Sequence, residues 1–229
     1  TGTWTAIPEE TAAVRERSAG KVFGVYEAPD WEREVPAGGG ERTLIIVAGY
    51  PAGNVNGQIP ELLTTLYGNV SMIGKLKLLD VWLPPSFLKA VKGPKFGIGG
   101  LRERMKVADR PLLCCMYKPC VGALPDALGR MAYDMAVGGV DVIKDDELLA
   151  DPDFCPFERR IEATEKALER AARETGRRAV YTVNVTDRPE LMHKKARRAV
   201  ELGASALMVN LYAVGYAAAQ DLAEDPALG

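Results

Sequence analysis

From Arg110 onward the chain alternates between apolar runs and amphipathic stretches. The runs cover 111–117, 140–143, 179–185 and 204–209. Segments with helical spacing of apolar positions follow them over 124–137, 156–174, 189–201 and 212–223. Continuously apolar strands separated by long helices are the pattern of βαβ units, whose parallel sheet is buried on both faces. Gly138-Gly139, Gly176 and Gly203 fall just past three of these helices, where a left-handed residue closes the last turn. A complete eightfold βα barrel takes about 250 residues. Residues 110–229 therefore read as about half of such a barrel: either the chain is a fragment, or another polypeptide finishes the sheet.

The region 1–109 is less regular. Val22–Tyr26 and Leu44–Val47 read as strands joined across the Gly38-Gly39-Gly40 link, and Ile59-Pro60-Glu61-Leu62-Leu63 opens a helix that Gly68-Asn69 ends. A further strand is expected over 76–82. Strands and short helices in mixed order, without a period, point to an N-terminal α+β domain with its linker.

Composition narrows the function classes. The 229 residues carry 29 Lys+Arg against 31 Asp+Glu, a net charge of −2, with the two signs interleaved. Such a chain has no field that would attract nucleic acid. No window approaches 18 uninterrupted apolar residues, and Thr1 to Glu10 has no secretory pattern, so a soluble cytoplasmic protein away from membranes is expected. Cys114, Cys115, Cys120 and Cys155 have neither disulfide-framework nor zinc spacing and read as reduced thiols. With His193 the only histidine, any metal site rests on oxygen ligands, which suit magnesium better than zinc. His193 itself shares a helix with Lys194, Lys195, Arg197 and Arg198, and reads as part of a solvated face.

In parallel βα folds, functional groups gather at the carboxyl ends of strands. Three such ends carry polar residues: Lys118-Pro119-Cys120, Lys144-Asp145-Asp146-Glu147 and Asn184-Val185-Thr186. By the two-residue strand period Lys144 and Asp146 share a face, and Glu147 can swing towards them from the turn. Two carboxylates beside a lysine make either an incomplete cage for a hard divalent cation or a surface charge run with an ion pair. Asn184 either faces the mouth of the barrel or caps its own loop.

The run Gly138-Gly139-Val140-Asp141-Val142-Ile143-Lys144-Asp145-Asp146-Glu147 resembles the signature of the ribulose-bisphosphate carboxylase (RuBisCO) large-subunit superfamily, and Lys118-Pro119 stands 26 residues before Lys144, as in that family. Thr1-Gly2-Thr3-Trp4-Thr5, Gly68-Asn69-Val70, Gly93-Pro94-Lys95-Phe96-Gly97-Ile98 and Arg110-Pro111-Leu112-Leu113 agree in order. The resemblance implies an α/β protein with an N-terminal α+β (ferredoxin-like) domain followed by a βα (TIM-type) barrel. It also implies a homodimer with active sites shared between subunits. Lys144 would react with CO2 to give a carbamate that binds Mg2+ with Asp146 and Glu147, and the ion would polarise a phosphorylated ketose towards its enediolate. The resemblance makes Lys118 the proton carrier or electrostatic partner, Thr3 and Trp4 contacts to a substrate phosphate, and Asn69 a contact to the substrate.

The chain departs from the carboxylases where they carry a second lysine: Cys120 stands there. A thiol supplies no fixed positive charge beside CO2, whereas proton abstraction can survive the change. The wording is similar to the RuBisCO-like proteins (form IV), and most to their methionine-salvage branch, the 2,3-diketo-5-methylthiopentyl-1-phosphate enolases. That branch places a lysine base where this chain has Asn69, which leaves the base to Lys118 or to a residue outside the chain. Enolisation or isomerisation is thus the leading expectation. A carboxylase, a decarboxylase or transcarboxylase of a sugar-acid phosphate, and a non-catalytic structural or binding protein remain the alternatives.

Overall fold

The computed structural model describes residues 7–28, 42–68 and 74–228. The chain divides into two compact units, Thr1–Val91 and Lys92–Gly229.

In the first unit, helix α1 (Ala12–Ser18) is capped by Thr11, whose hydroxyl accepts from the Val14 amide at 3.3 Å. Strands β1 (Lys21–Glu27) and β2 (Leu44–Gly49) pair antiparallel, with a register shift between Val22 and Gly24. The ribbon leaves Val22, Phe23, Tyr26 and Ile46 exposed. Helix α2 (Ile59–Tyr67) opens on Pro60, whose missing N–H costs nothing in a first turn, and α3 (Pro85–Ala90) begins the same way. The strand expected over 76–82 does not form: Leu76, Leu79 and Trp82 are exposed, and no strand among the described residues pairs with the segment. An apolar run needs a neighbour's N–H and C=O groups to become a strand, and this one has none among the described residues.

The second unit opens with α4 (Gly97–Met105), which stops at Lys106 in the left-handed conformation, φ 55°. The Arg102 guanidinium donates to the carbonyls of Val107, Ala108 and Arg110 and folds the chain back towards the sheet. Four parallel strands follow, β3 (Cys114–Met116), β4 (Val142–Lys144), β5 (Val180–Asn184) and β6 (Ala206–Met208), side by side in that order. Met116, Lys144 and Thr182 stand in register across the first three. Between them run α5 (Pro125–Val137), α6 (Phe157–Thr175) and α7 (Pro189–Glu201). This is the βα order that the hydrophobic pattern specifies, in a partial barrel.

The core lies between sheet and helices. Ile143, Tyr181, Val183 and Val185 pack with Leu128, Ala132, Ile161, Leu168, Met192 and Ala196, nearly all of them fully buried. Gly129 lets α5 and α6 touch at the backbone, since a Cβ there would sit 2.9 Å from the Ala163 carbonyl oxygen. Gly139, Gly176 and Gly203 carry positive φ just beyond α5, α6 and α7. At the entry to the sheet Arg110 forks onto Asp141 at 2.6 and 2.7 Å, while Asp141 also accepts the Leu113 amide.

Two sequence expectations are corrected here. The helix expected over 212–223 is two, α8 (Leu211–Val214) and α9 (Tyr216–Glu224), because Gly215 at φ 80° and ψ 155° breaks the hydrogen-bond ladder. His193 is not on a solvated face: α9 covers it, and its ring sits between Asp221 and Asp225 at 2.9 and 3.1 Å. A helix wheel displays the cations of α7 but not the acids that α9 brings to them.

Glu165 on α6 is buried, with one carboxylate oxygen 2.6 Å from the Arg178 guanidinium and the other unpaired among the described residues. Burial pushes its pKa up from 4.5 to about 7, against the pull of Arg178. The unfolded chain then releases this proton first, so stability falls as pH rises from about 4.5 to about 7 and is level above that. The stability lost over this range is on the order of 3 kcal/mol. Thermal unfolding of Glu165→Gln between pH 5 and 8 should show a flatter pH dependence than the parent. An unchanged slope would mean that the titration lies elsewhere.

Candidate active site

The carboxyl ends of β3, β4 and β5 meet at one edge of the sheet. β4 ends at Lys144, although the Asp145 amide still donates to the Thr182 carbonyl, and the side chains sort to two faces. Ile143 and Asp145 point into the helix layer and are fully buried, while Lys144 takes the other face with Asp146, which is buried there against Lys118.

Asp145 is held from four directions. Tyr181 Oη donates to one oxygen at 2.7 Å, and the other accepts Arg160 Nε at 3.1 Å and the Asn184 amide at 2.9 Å. A second guanidinium nitrogen of Arg160 lies 3.1 Å from the same oxygen, with both side chains at 0% exposure. Arg160 spends its remaining donors on the carbonyls of Cys155 and Ala150, tying down the loop that leads from β4 to α6. Tyr117 packs edge-on to Tyr181 and shares a 2.8 Å hydrogen bond with Thr164. Burial raises the Asp145 pKa and opposes the ionisation that Arg160 favours, and it carries the Tyr181 phenol well above its usual value.

On the open face the charged residues pair across strands and along the turn. Lys118 Nζ donates to Asp146 Oδ2 at 2.7 Å and lies 2.9 Å from Cys120 Sγ. Lys144 Nζ donates to Glu147 Oε1 at 2.9 Å and to the Asp145 carbonyl at 2.9 Å. The Lys118 ammonium holds the Asp146 carboxyl down at about 2, and Lys144 lowers Glu147. In return Asp146, and after it Cys120, raises Lys118. Asp146 Oδ1 also accepts the Leu148 amide at 3.1 Å.

Lys118, Lys144, Asp146 and Glu147 are thus brought to one strand edge. Thr3, Trp4 and Asn69 lie outside the described residues. Asn184 is fully buried and turned inward to the loop, the capping alternative of the two its sequence position offered. Among the described residues no group of three His, Cys, Asp or Glu side chains forms a metal cluster. Asp146 and Glu147 offer two hard oxygen donors, and the group beside them is an amine. A hard divalent ion would fit this set only if that nitrogen carried an anionic oxygen.

Sequence reasoning did not find the Asp145–Arg160–Tyr181 cluster. One signal was present: Asp145 shares strand parity with Ile143, so an acid there faces a core and needs a partner. Nothing marked Arg160 among the many cations of 156–174 as that partner.

Residues 1–87 match the family described as ribulose bisphosphate carboxylase large chain, N-terminal domain, and residues 97–226 match the catalytic domain of the same large chain. A ribulose bisphosphate carboxylase-like protein of Archaeoglobus fulgidus is 47% identical over 229 residues, covering 100% of this chain and 52% of the relative. The 2,3-diketo-5-methylthiopentyl-1-phosphate enolase of Bacillus licheniformis is 39% identical over 98% of this chain and 54% of its own length. Among solved structures, the RuBisCO-like protein MtnW of Alicyclobacillus acidocaldarius superposes with a TM-score of 0.81 at 36% identity, over 91% of this chain and 52% of that one. The dimeric archaeal RuBisCO of Hyperthermus butylicus gives 0.83 at 33% identity, over 97% and 51%. The chain therefore spans about half the length of the curated relatives it matches. With both domains matched in order, and with parallel βα units where the catalytic domain matches, the chain belongs to the ribulose bisphosphate carboxylase large-chain family.

Proposed function

We propose that the protein is a RuBisCO-like enolase of a phosphorylated ketose, of the methionine-salvage type that acts on 2,3-diketo-5-methylthiopentyl 1-phosphate. The observation that carries the reading is the pairing of Lys118 with Asp146 and of Lys144 with Glu147 at adjoining strand ends. The enolase relatives, at 39% identity for the Bacillus licheniformis protein, favour this substrate class.

Lys144, once carbamylated by CO2, would join Asp146 and Glu147 as the third oxygen donor for Mg2+. Bound there, the ion would act as a Lewis acid on the substrate's carbonyl and the oxygen next to it. Within the chain, Lys144 lies against the Glu147 carboxylate, so its conversion to an anion has to be matched by a cation or Glu147 is repelled. Lys118 is held cationic by Asp146, which suits it to stabilise developing negative charge. The base that removes the substrate proton then comes from outside the described residues. Thr3 and Trp4 are assigned to a substrate phosphate, and Asn69 to the substrate itself.

Cys120 favours enolisation over carboxylation. Its sulfur, 2.9 Å from Lys118, occupies the place where a second ammonium would face an incoming CO2. We assign the protein to homodimers with shared sites. Among the structural relatives, the Hyperthermus butylicus RuBisCO is dimeric and that of Pyrococcus horikoshii octameric. Among the described residues no helix is long and apolar enough to cross a membrane. The free thiols of Cys114, Cys115, Cys120 and Cys155 suit the cytoplasm.

Solvent deuterium should enter the diketo-methylthiopentyl phosphate only with Mg2+ and bicarbonate both present, and Lys144→Ala should lose the response to both. Labelled bicarbonate should stay out of the product, and its incorporation would replace this reading with a carboxylase. Lys118→Met should slow exchange by about 10²–10⁴-fold. In the same variant, NMR titration should find the Asp146 carboxyl risen from about 2 into the ordinary range. Exchange at the parent rate would remove Lys118 from the mechanism.

A further inference from the structure

We propose that Asn184 is a positioning residue for the metal-binding edge: its carboxamide aims the Asp146 and Glu147 carboxylates by holding those residues' own backbone carbonyls. The inference rests on the magnesium reading above and deepens it.

Asn184 ends β5, one strand away from the residues it would position, and has no exposed surface. Its Nδ2 group donates to the Asp146 carbonyl at 3.3 Å and to the Glu147 carbonyl at 3.0 Å. Its Oδ1 accepts from the Thr186 amide at 3.0 Å, so the carboxamide has both donors and its acceptor engaged and one orientation only. Its backbone amide donates to Asp145 Oδ2, the oxygen that Arg160 also holds. The clamp is therefore anchored to the buried ion pair and reaches from it to the open face.

The geometry explains why such a clamp matters. The chain leaves its strand at Lys144, so ladder hydrogen bonds no longer set the peptide planes of 146 and 147; the Asp146 carbonyl is shared between Asn184 and the Leu149 amide at 3.0 Å, and Asn184 holds the Glu147 carbonyl. These two carbonyls flank the Glu147 Cα, so holding both fixes the Glu147 torsions and the direction of its Cα–Cβ bond, and the first of them also fixes the peptide plane that leaves Asp146. Asp146 and Glu147 are neighbours in sequence and would by strand parity diverge. Holding both carbonyls on one amide instead keeps the turn in which Glu147 reaches Lys144 while Asp146 reaches Lys118. Outer contacts of this kind typically change metal affinity 10–100-fold when removed.

The test measures Mn2+ affinity by electron paramagnetic resonance, at saturating bicarbonate, in the complete polypeptide. Asn184→Asp keeps the shape and the acceptor for Thr186 but turns the two donors into acceptors facing carbonyls. Asn184→Ser removes the donors without adding charge, and is read if the aspartate variant does not fold. Asp141→Asn is the control: it breaks the fork with Arg110 at the amino end of β4, opposite the end where the clamp lies, and lowers the melting temperature without touching the clamp. The expected result is Mn2+ binding about 10–100-fold weaker in the Asn184 variants, with Asp141→Asn close to the parent. If Asn184 and Asp141 variants of matched melting temperature bind Mn2+ equally well, Asn184 is only a stabilising residue and the inference falls. A parent protein without bicarbonate-dependent Mn2+ binding overturns the magnesium reading and this inference together, a pattern distinct from loss of the variant effect alone.

Discussion

Everything at the strand edge depends on where Asp145 goes. A lysine and three acids in sequence can arrange themselves around a strand end in several ways, and the choice is made by the Arg160 guanidinium waiting in the helix layer, with Tyr181 and the Asn184 amide beside it. Once Asp145 is committed inward, strand parity turns Lys144 and Asp146 to the opposite face. Burying an ion pair has no assured benefit to stability, because desolvation offsets the attraction, but leaving either partner alone costs about 3–5 kcal/mol. The arrangement is therefore hard to leave once formed. It converts a flexible charged run into a fixed edge, and through Ala150 and Cys155 it fixes the loop beyond as well.

The open face is built on a different principle. Each of its two lysine–carboxylate pairs joins an exposed group to a largely buried one, Lys118 to Asp146 and Glu147 to Lys144. Their value lies in storing opposed charges close together: Asp146 is kept ionised and Lys118 kept cationic. Inversion of a single charge, that of Lys144, would change the edge from balanced to strongly anionic. On the function proposed above, one chemical modification rather than a large movement would complete the site, which agrees with the buried ion pair beneath it.

Much of this was legible in the sequence, for reasons that differ by region. The parallel units could be read because burial on both sides demands uninterrupted apolar strands such as Val180–Asn184, and because α6 and α7 carry amphipathic patterns long enough to count. Lys118, Lys144, Asp146 and Glu147 stood out as polar residues placed directly after such strands. Contacts between elements distant in sequence did not stand out. Arg160 looks like its neighbour Arg159 until α6 is rolled onto the sheet, His193 looks solvated until α9 covers it, and Asn184 looks as suited to substrate as to backbone. The strand expected over 76–82 failed for the same reason: pairing is a property of two segments, and a periodicity reports only one.

The account's central claim is that Lys144 becomes an anionic oxygen ligand beside Asp146 and Glu147. Carbon-13 NMR of the complete protein in labelled bicarbonate and Mg2+ tests it most directly. A carbamate resonance that appears with the parent protein and is absent from Lys144→Ala is the predicted result. A catalytically active protein that gives no such resonance, or gives it undiminished in Lys144→Ala, would contradict the claim.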